Sequence, residues 1–290
     1  MLTHSGQISI NWQLDKRCEI TRLDNKVAIV TGAGTRSATT AGVGVATAKN
    51  FAAHGAKVLL ADMDEKAART TEQTITAAGG EASIFVADVV NEAACKALVD
   101  VAVERYGRLD ILMNSVGIGG AGSPTEVTEE TWDRVLDVNL KSMVFISKYA
   151  IPEMIKTGGG SIINVSSVDG IRAGMTKNIP YNAAKGGMIT VTKAMAVHHG
   201  RDNIRVNCIA PGLLYTSMTE AMDDRTRQLR RDIAPLGTEG RAQDIAMAAS
   251  FLASEEARWI TGVLLPVDAG LMAAGPQSIV NNILDDYEQK

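Results

Sequence analysis

Lys26-Val-Ala-Ile-Val-Thr31-Gly32-Ala33-Gly34 is a short apolar run that enters a glycine-rich segment. Short runs of this kind, rich in β-branched residues and bounded by turn residues, read as strands buried on both faces of a parallel sheet. The same unit recurs outward along the chain. Val45 to His54 reads as a helix ended by Gly55, and Lys57 to Asp62 as the second strand. A helix over Glu65–Ala78 stops at Gly79-Gly80, and Ala82 to Ala87 is the third strand. Asn91 is placed to cap a helix running to Tyr106, because its side-chain oxygen can accept an orphan amide. Leu109 to Asn114 is the fourth strand. A long helical stretch, Thr128 to Ile155, precedes the strand Ser161–Val165, and a helix to about His199 precedes the strand Ile204–Ile209. After a long loop region come a helix over Ala242–Ala253 and a last strand over Val263–Val267. Seven strands alternating with helices predict one α/β domain, a doubly wound seven-stranded parallel sheet with helices on both faces. The domain spans 26–272, between an N-terminal extension, 1–25, and a C-terminal tail, 273–290.

Composition narrows the function. The chain of 290 residues has 46% hydrophobic and 21% charged residues, ordinary for a globular protein, and a formal net charge of −4. No basic footprint exists for nucleic acid or an anionic membrane. Cys18, Cys95 and Cys208 are widely spaced and only four His are present, so no metal site is expected. Reduced thiols fit the cytoplasm. The first residues carry no apolar signal region, and no run approaches the ~18 apolar residues of a membrane span.

Ligands of such sheets bind at the carboxyl ends of the strands. The first strand leads into Gly32, Gly34 and then Gly42-Val43-Gly44, where backbone can approach a pyrophosphate at a helix N-terminus. Asp62 ends the second strand, where a carboxylate accepts both hydroxyls of an adenosine ribose and repels a 2′-phosphate. NAD(H) is therefore expected over NADP(H).

A second constellation lies between Gly158 and Gly187. Ser166-Ser167 closes the run Ile162–Val165, and Tyr181-x-x-x-Lys185 follows. Residues four apart share a helix face, so the Lys185 ammonium would sit beside the Tyr181 phenol. A phenol titrates near ~10 when unperturbed, and a neighbouring cation favours its ionised form. Such a phenol can exchange a proton with an alcohol or carbonyl.

These pieces together resemble the short-chain dehydrogenase/reductase family over Lys26 to about Leu271. The resemblance rests on the glycine segment, Asp62, Ala87-Asp88-Val89, Asn114-Ser115-Val116-Gly117, Asn139, Ser167, Tyr181, Lys185, Pro211-Gly212, Thr216 and Val267-Asp268-Ala269-Gly270, all in family order. It implies a Rossmann fold and hydride transfer between nicotinamide and a secondary alcohol or ketone, without a metal. Tyr181 would be the general acid/base, Ser167 would hold the substrate oxygen, and Lys185 would lower the phenol pKa and bind the nicotinamide ribose. Asn139 would anchor a water linking Lys185 to solvent. Asp88 and Val89 would flank the adenine, Asn114 and Gly117 the adenosine side, and Pro211, Gly212 and Thr216 the carboxamide. A lid over about 213–240 would cover the substrate. Its apolar start, Leu213-Leu214, and Met218 suit a small, largely uncharged alcohol, while Asp169 and Arg172 offer polar contacts. The resemblance also implies a homotetramer.

Two departures stand out. Nine residues, Ala33 to Ala41, separate Gly32 from Gly42 where the family usually has three, and Arg36 in that insertion could take a 2′-phosphate. Asn114-Ser115-Val116-Gly117 replaces the commoner Asn-Asn-Ala-Gly. The alternative activity is a 3-oxoacyl-thioester reductase, a role that usually goes with NADPH. A dinucleotide-binding sensor or scaffold without catalysis is the remote one.

Overall fold

In the computed structural model, which describes residues 22–280 apart from Met175 and Ser278, each apolar run becomes a strand of one sheet. In chain order the first half runs β1 Val27–Thr31, α1 Val43–Ala53, β2 Lys57–Asp62, α2 Glu65–Ala77, β3 Glu81–Val86, α3 Glu92–Tyr106 and β4 Ile111–Asn114. The second half runs α4 Glu129–Leu136, α5 Ser142–Lys156, β5 Gly160–Val165, α6 Ile179–His199, β6 Ile204–Pro211, β7 Leu214–Tyr215, α7 Asp224–Asp232, β8 Gly240–Arg241, α8 Ala242–Ala253 and β9 Leu264–Val267. Seven strands pair in the order β3-β2-β1-β4-β5-β6-β9, all parallel. The sequence of additions reverses between β1 and β4, and a crevice opens at such a switch point.

Alternation along the strands builds two cores. Ala28 and Val30 face one side with Phe51 of α1 and Ile245, Ala249 and Leu252 of α8. Val27 and Ile29 face the other with Leu98 and Ala102 of α3 and Ile146, Ala150 and Met154 of α5. Side chains of successive strand residues point to opposite faces, so a fully buried strand must be apolar at every position. All five residues of β1 are buried.

Several expectations change in detail. Leu23 is fully buried and its amide donates to the His54 carbonyl at 2.9 Å, so the domain starts inside what reads as the extension. Residues 1–21 of that extension and 281–290 of the tail lie outside the described residues. Asn91 caps α3 as expected, its Oδ1 accepting from Ala93 at 2.9 Å and Ala94 at 3.3 Å. The stretch expected as one helix over Thr128–Ile155 is interrupted by a π turn at Asp137–Lys141. Wide turns of this kind are commonly found at functional sites, and this one carries Asn139. The loop region after β6 contains unforeseen structure. β7 and β8 form a two-stranded ribbon, and Asp223 caps α7 by accepting from the Thr226 amide at 2.8 Å.

Candidate active site

A cleft of about 560 Å³ opens at the carboxyl ends of β1, β2, β4, β5 and β6. Of the candidate residues, all but Asn114, Asn139 and Arg172 line it. That volume lies within the range of ordinary cofactor and ligand pockets.

The dinucleotide end is shaped by backbone. Helix α1 begins behind Gly42 with no side-chain cap and no acidic residue in its first turn, so its leading amides face the cleft unopposed. A β-carbon at Gly44 would lie 2.3 Å from the Gly32 carbonyl oxygen, so only glycine lets the helix start against the turn. Asp62 is buried, and its Oδ2 accepts from the Gly34 amide at 2.8 Å while Oδ1 accepts from the Asp64 amide at 3.0 Å. Arg36 also binds Asp62 Oδ1 through Nη2, and its guanidinium remains 48% exposed. The insertion thus packs against the end of β2. Thr35 Oγ1 and Thr71 Oγ1 of α2 share a hydrogen bond of 2.8 Å, and the Ser37 hydroxyl donates to Glu220 Oε1 at 3.0 Å. Thr39 donates to the same oxygen, which joins the insertion to the lid between β7 and α7. These hydroxyls hold the Glu220 carboxyl below the usual carboxylate range.

Asn114 is the correction at this end. It sits opposite Asn164 in the β4–β5 register, so both side chains leave the sheet on the same side. Asn114 Nδ2 donates to Asn164 Oδ1 at 2.8 Å, and Asn164 Nδ2 donates to Thr192 Oγ1 at 2.9 Å. The pair ties β4, β5 and α6 together inside the core rather than facing the cleft. Ser115 does the loop's polar work instead, donating to the Thr31 carbonyl.

The chemistry end forms where α6 packs on the end of β5. Pro180 in the first turn of α6 suits a position whose amide has no intrahelical partner. Four residues apart on that helix, Tyr181 and Lys185 come together, with Lys185 Nζ 5.6 Å from the centre of the phenol ring. Lys185 is buried, donates to the Val165 carbonyl at 2.8 Å, and is pushed down to about 8 by burial. The Ser166-Ser167 pair separates by role. Ser166 is buried and donates to the Lys185 carbonyl at 2.7 Å, anchoring α6. Ser167 lines the cleft together with Tyr181 and accepts from the Asp169 amide at 3.1 Å. One expectation is reversed here. The Tyr181 phenol is pushed up, chiefly by burial and also by Asp169, with Ser167 acting against them.

Asn139 lies behind this group. Its Oδ1 accepts from the Ile118 amide and its Nδ2 donates to the Ile118 carbonyl, each at 2.9 Å. A β-carbon at Gly117 would sit 3.0 Å from Asn139 Oδ1 and 3.3 Å from Lys185 Nζ. The missing side chain leaves a space between amide and ammonium.

Residues beyond the sequence expectations also line the cleft, including Met63, Arg134, Val168 and Arg230. Asp169 is among its lining residues, whereas Arg172 is exposed and is not. Arg230 is not legible in the sequence, where the segment that forms α7 reads as loop. Among the described residues no cluster of His, Cys, Asp and Glu is arranged for a metal, and no helix is long and apolar enough to cross a membrane.

Comparisons with known proteins agree with this geometry. The family model described as enoyl-(acyl carrier protein) reductase matches residues 37–272. The chain is 36% identical to meso-2,3-butanediol dehydrogenase from Serratia marcescens over 256 residues, covering 88% of this chain and 98% of that one. It is 36% identical to a 3-oxoacyl-[acyl-carrier-protein] reductase from Thermotoga maritima over 251 residues, covering 87% and 99%. A crystal structure from Burkholderia xenovorans, described as a short-chain dehydrogenase/reductase, superposes with a TM-score of 0.84 at 40% identity, covering 88% of this chain and 99% of that one.

Proposed function

The chain belongs to the short-chain dehydrogenase/reductase family, and from that premise we propose that it is an NAD(H)-dependent oxidoreductase interconverting a small, largely uncharged secondary alcohol and its ketone. The observation that carries this reading is the convergence of Ser167, Tyr181 and Lys185 on one cleft, with Lys185 buried beside the phenol ring. A bound nicotinamide would supply the hydride acceptor or donor. The cradle for its dinucleotide would be the Gly42–Gly44 helix start, which Gly44 lets pack against the Gly32 turn.

In the oxidative direction the Tyr181 oxygen takes the hydroxyl proton, and in reduction it returns one to the carbonyl oxygen. Ser167 holds the same substrate oxygen and steadies the charge that develops there. Lys185 keeps a cation near the phenol and offers a donor to the nicotinamide ribose. Gly117 leaves room for a water between Asn139 Oδ1 and Lys185 Nζ, the first step of a proton path to solvent. Pro211, Gly212 and Thr216 line the cleft and would face the carboxamide, and Asp88, Val89 and Gly117 the adenosine. Leu213, Leu214, Val168 and Met218 give the substrate space an apolar wall, which supports a small carbon skeleton.

Asp62 at the end of β2 supports NAD(H), because its carboxylate is where ribose hydroxyls would bind and where a 2′-phosphate would be repelled. The half-exposed Arg36 favours the second reading, an NADPH-linked 3-oxoacyl-thioester reductase. The same proposal carries a cytoplasmic homotetramer. Cys95 and Cys208 are free and buried, and Val144, Ile155 and Val197 are exposed apolar side chains on α5 and α6. Fluorescence titration with NADH and NADPH tests the cofactor assignment. Tighter NADH binding that weakens roughly tenfold in Asp62→Ala is expected. Tighter NADPH binding that falls in Arg36→Ala would overturn it.

A further inference from the structure

Helix α7 carries four arginines, and Arg227, Arg230 and Arg231 among them differ in their surroundings. Arg227 stacks 3.8 Å from the centre of the Tyr215 ring and binds Glu239 through Nη2 at 2.5 Å. Arg231 reaches the same carboxylate at 3.7 Å. These contacts fasten α7 to the β7–β8 ribbon. Arg230 lies between them in sequence, and its side chain lines the cleft that also holds Ser167, Asp169 and Tyr181.

No carboxylate among the described residues lies within 4.0 Å of Arg230; its one hydrogen bond there runs from Nη2 to the Leu214 carbonyl at 2.9 Å. That bond uses one of the two Nη2 hydrogens and leaves the other, paired with Nη1 or with Nε on the opposite edge, for a ligand. The side chain is partly buried, and Asp169 and Glu239 are the acidic groups that act on it from a distance. Asp169 is itself occupied, accepting from Asn178 Nδ2 at 3.4 Å while its amide serves Ser167. A desolvated arginine with free planar donors is built to receive a planar anion in two parallel hydrogen bonds. Other cations around the cleft have different duties: Arg36 sits on Asp62, Arg134 lies 4.0 Å from Asp88, and Lys185 is held by Val165.

We propose that Arg230 is a specificity-determining residue that binds a carboxylate on the substrate, so that the preferred substrate is a short hydroxy acid or keto acid with an otherwise apolar skeleton. The inference rests on the secondary-alcohol and hydride-transfer part of the reading above and replaces its uncharged substrate with one that carries a carboxylate.

The test compares 3-hydroxybutyrate with its methyl ester and with 2,3-butanediol, using wild type, Arg230→Gln and Arg230→Lys. The expected result is a higher kcat/KM for the acid than for the ester in wild type. Arg230→Gln should cut that preference roughly 10- to 100-fold, mostly through KM, as for a lost charge-assisted contact. Arg230→Lys should restore part of it, because the charge remains and the fork does not. The ester serves as internal control for folding and for the hydride step. Equal or better turnover of the ester or the diol by wild type would overturn the anion proposal and leave the dehydrogenase reading standing. So would an acid-to-ester ratio unchanged in Arg230→Gln. Failure of all three compounds with either dinucleotide would sink both readings together.

Discussion

Replacing Lys185 by Met should stabilise the protein while abolishing catalysis. Lys185 is buried beneath Tyr181, and burial lowers it from 10.5 to about 8, a difference worth roughly 3 kcal/mol of penalty on the charged form. The folded state binds this proton less tightly than the unfolded chain. Between pH 8 and 10.5 the unfolded chain therefore holds the extra proton, and wild-type stability from this group rises with pH. Below about 8 the penalty is present in full. Methionine has a similar length and no charge to desolvate, but it gives up the 2.8 Å bond to the Val165 carbonyl, about 1 kcal/mol. The net gain at pH 7 is about 2 kcal/mol, or roughly 4 °C in melting temperature. Urea unfolding of wild type and Lys185→Met at pH 7 and pH 10, without dinucleotide, measures it. A variant no more stable at pH 7, or a gain that does not shrink by pH 10, would refute the burial argument.

Two further outcomes follow from the same geometry. Because burial raises the Tyr181 phenol, kcat/KM for alcohol oxidation should climb with pH into the alkaline range; Asp169→Asn should move the profile to lower pH, since Asp169 pushes the phenol up. A pH–rate series on both proteins checks this, and coincident profiles would exclude Asp169 as an influence. Glu220→Ala removes the acceptor shared by Ser37 and Thr39, so NADH should dissociate about two- to fivefold faster, the scale of an exposed charge contact. Stopped-flow displacement of NADH reads it directly, and an unchanged rate would show that the contact does not restrain the cofactor.

The sheet was legible because its strands are apolar at every position and end at glycine, asparagine or aspartate. Tyr181, Lys185 and Ser167 were legible because fixed spacing on a helix and a strand end brings them together. What stayed hidden depends on tertiary register. Asn114 turns inward because β4 pairs with β5 at that position, and nothing in its neighbours' identities announces Asn164 as its partner. The π turn around Asn139 leaves no mark on propensity, since Asp137–Lys141 reads as ordinary helix. Arg230 needed α7 to be seen as a helix, for which Asp223 as N-cap was the available signal. The direction of the Tyr181 shift was misjudged because helix spacing reports which charge is near but not how deeply the phenol is buried.

The bridge from Ser37 and Thr39 to Glu220 joins segments more than 180 residues apart in the chain. It makes the glycine-turn insertion and the lid a single unit of exchange for evolution or engineering. A lid transplanted alone from a relative with the shorter turn arrives beside hydroxyls that have lost their acceptor. Shortening the turn alone leaves the Glu220 carboxylate without its donors. Swaps that keep both loops from one parent should give folded, active chimaeras more often than swaps that mix them.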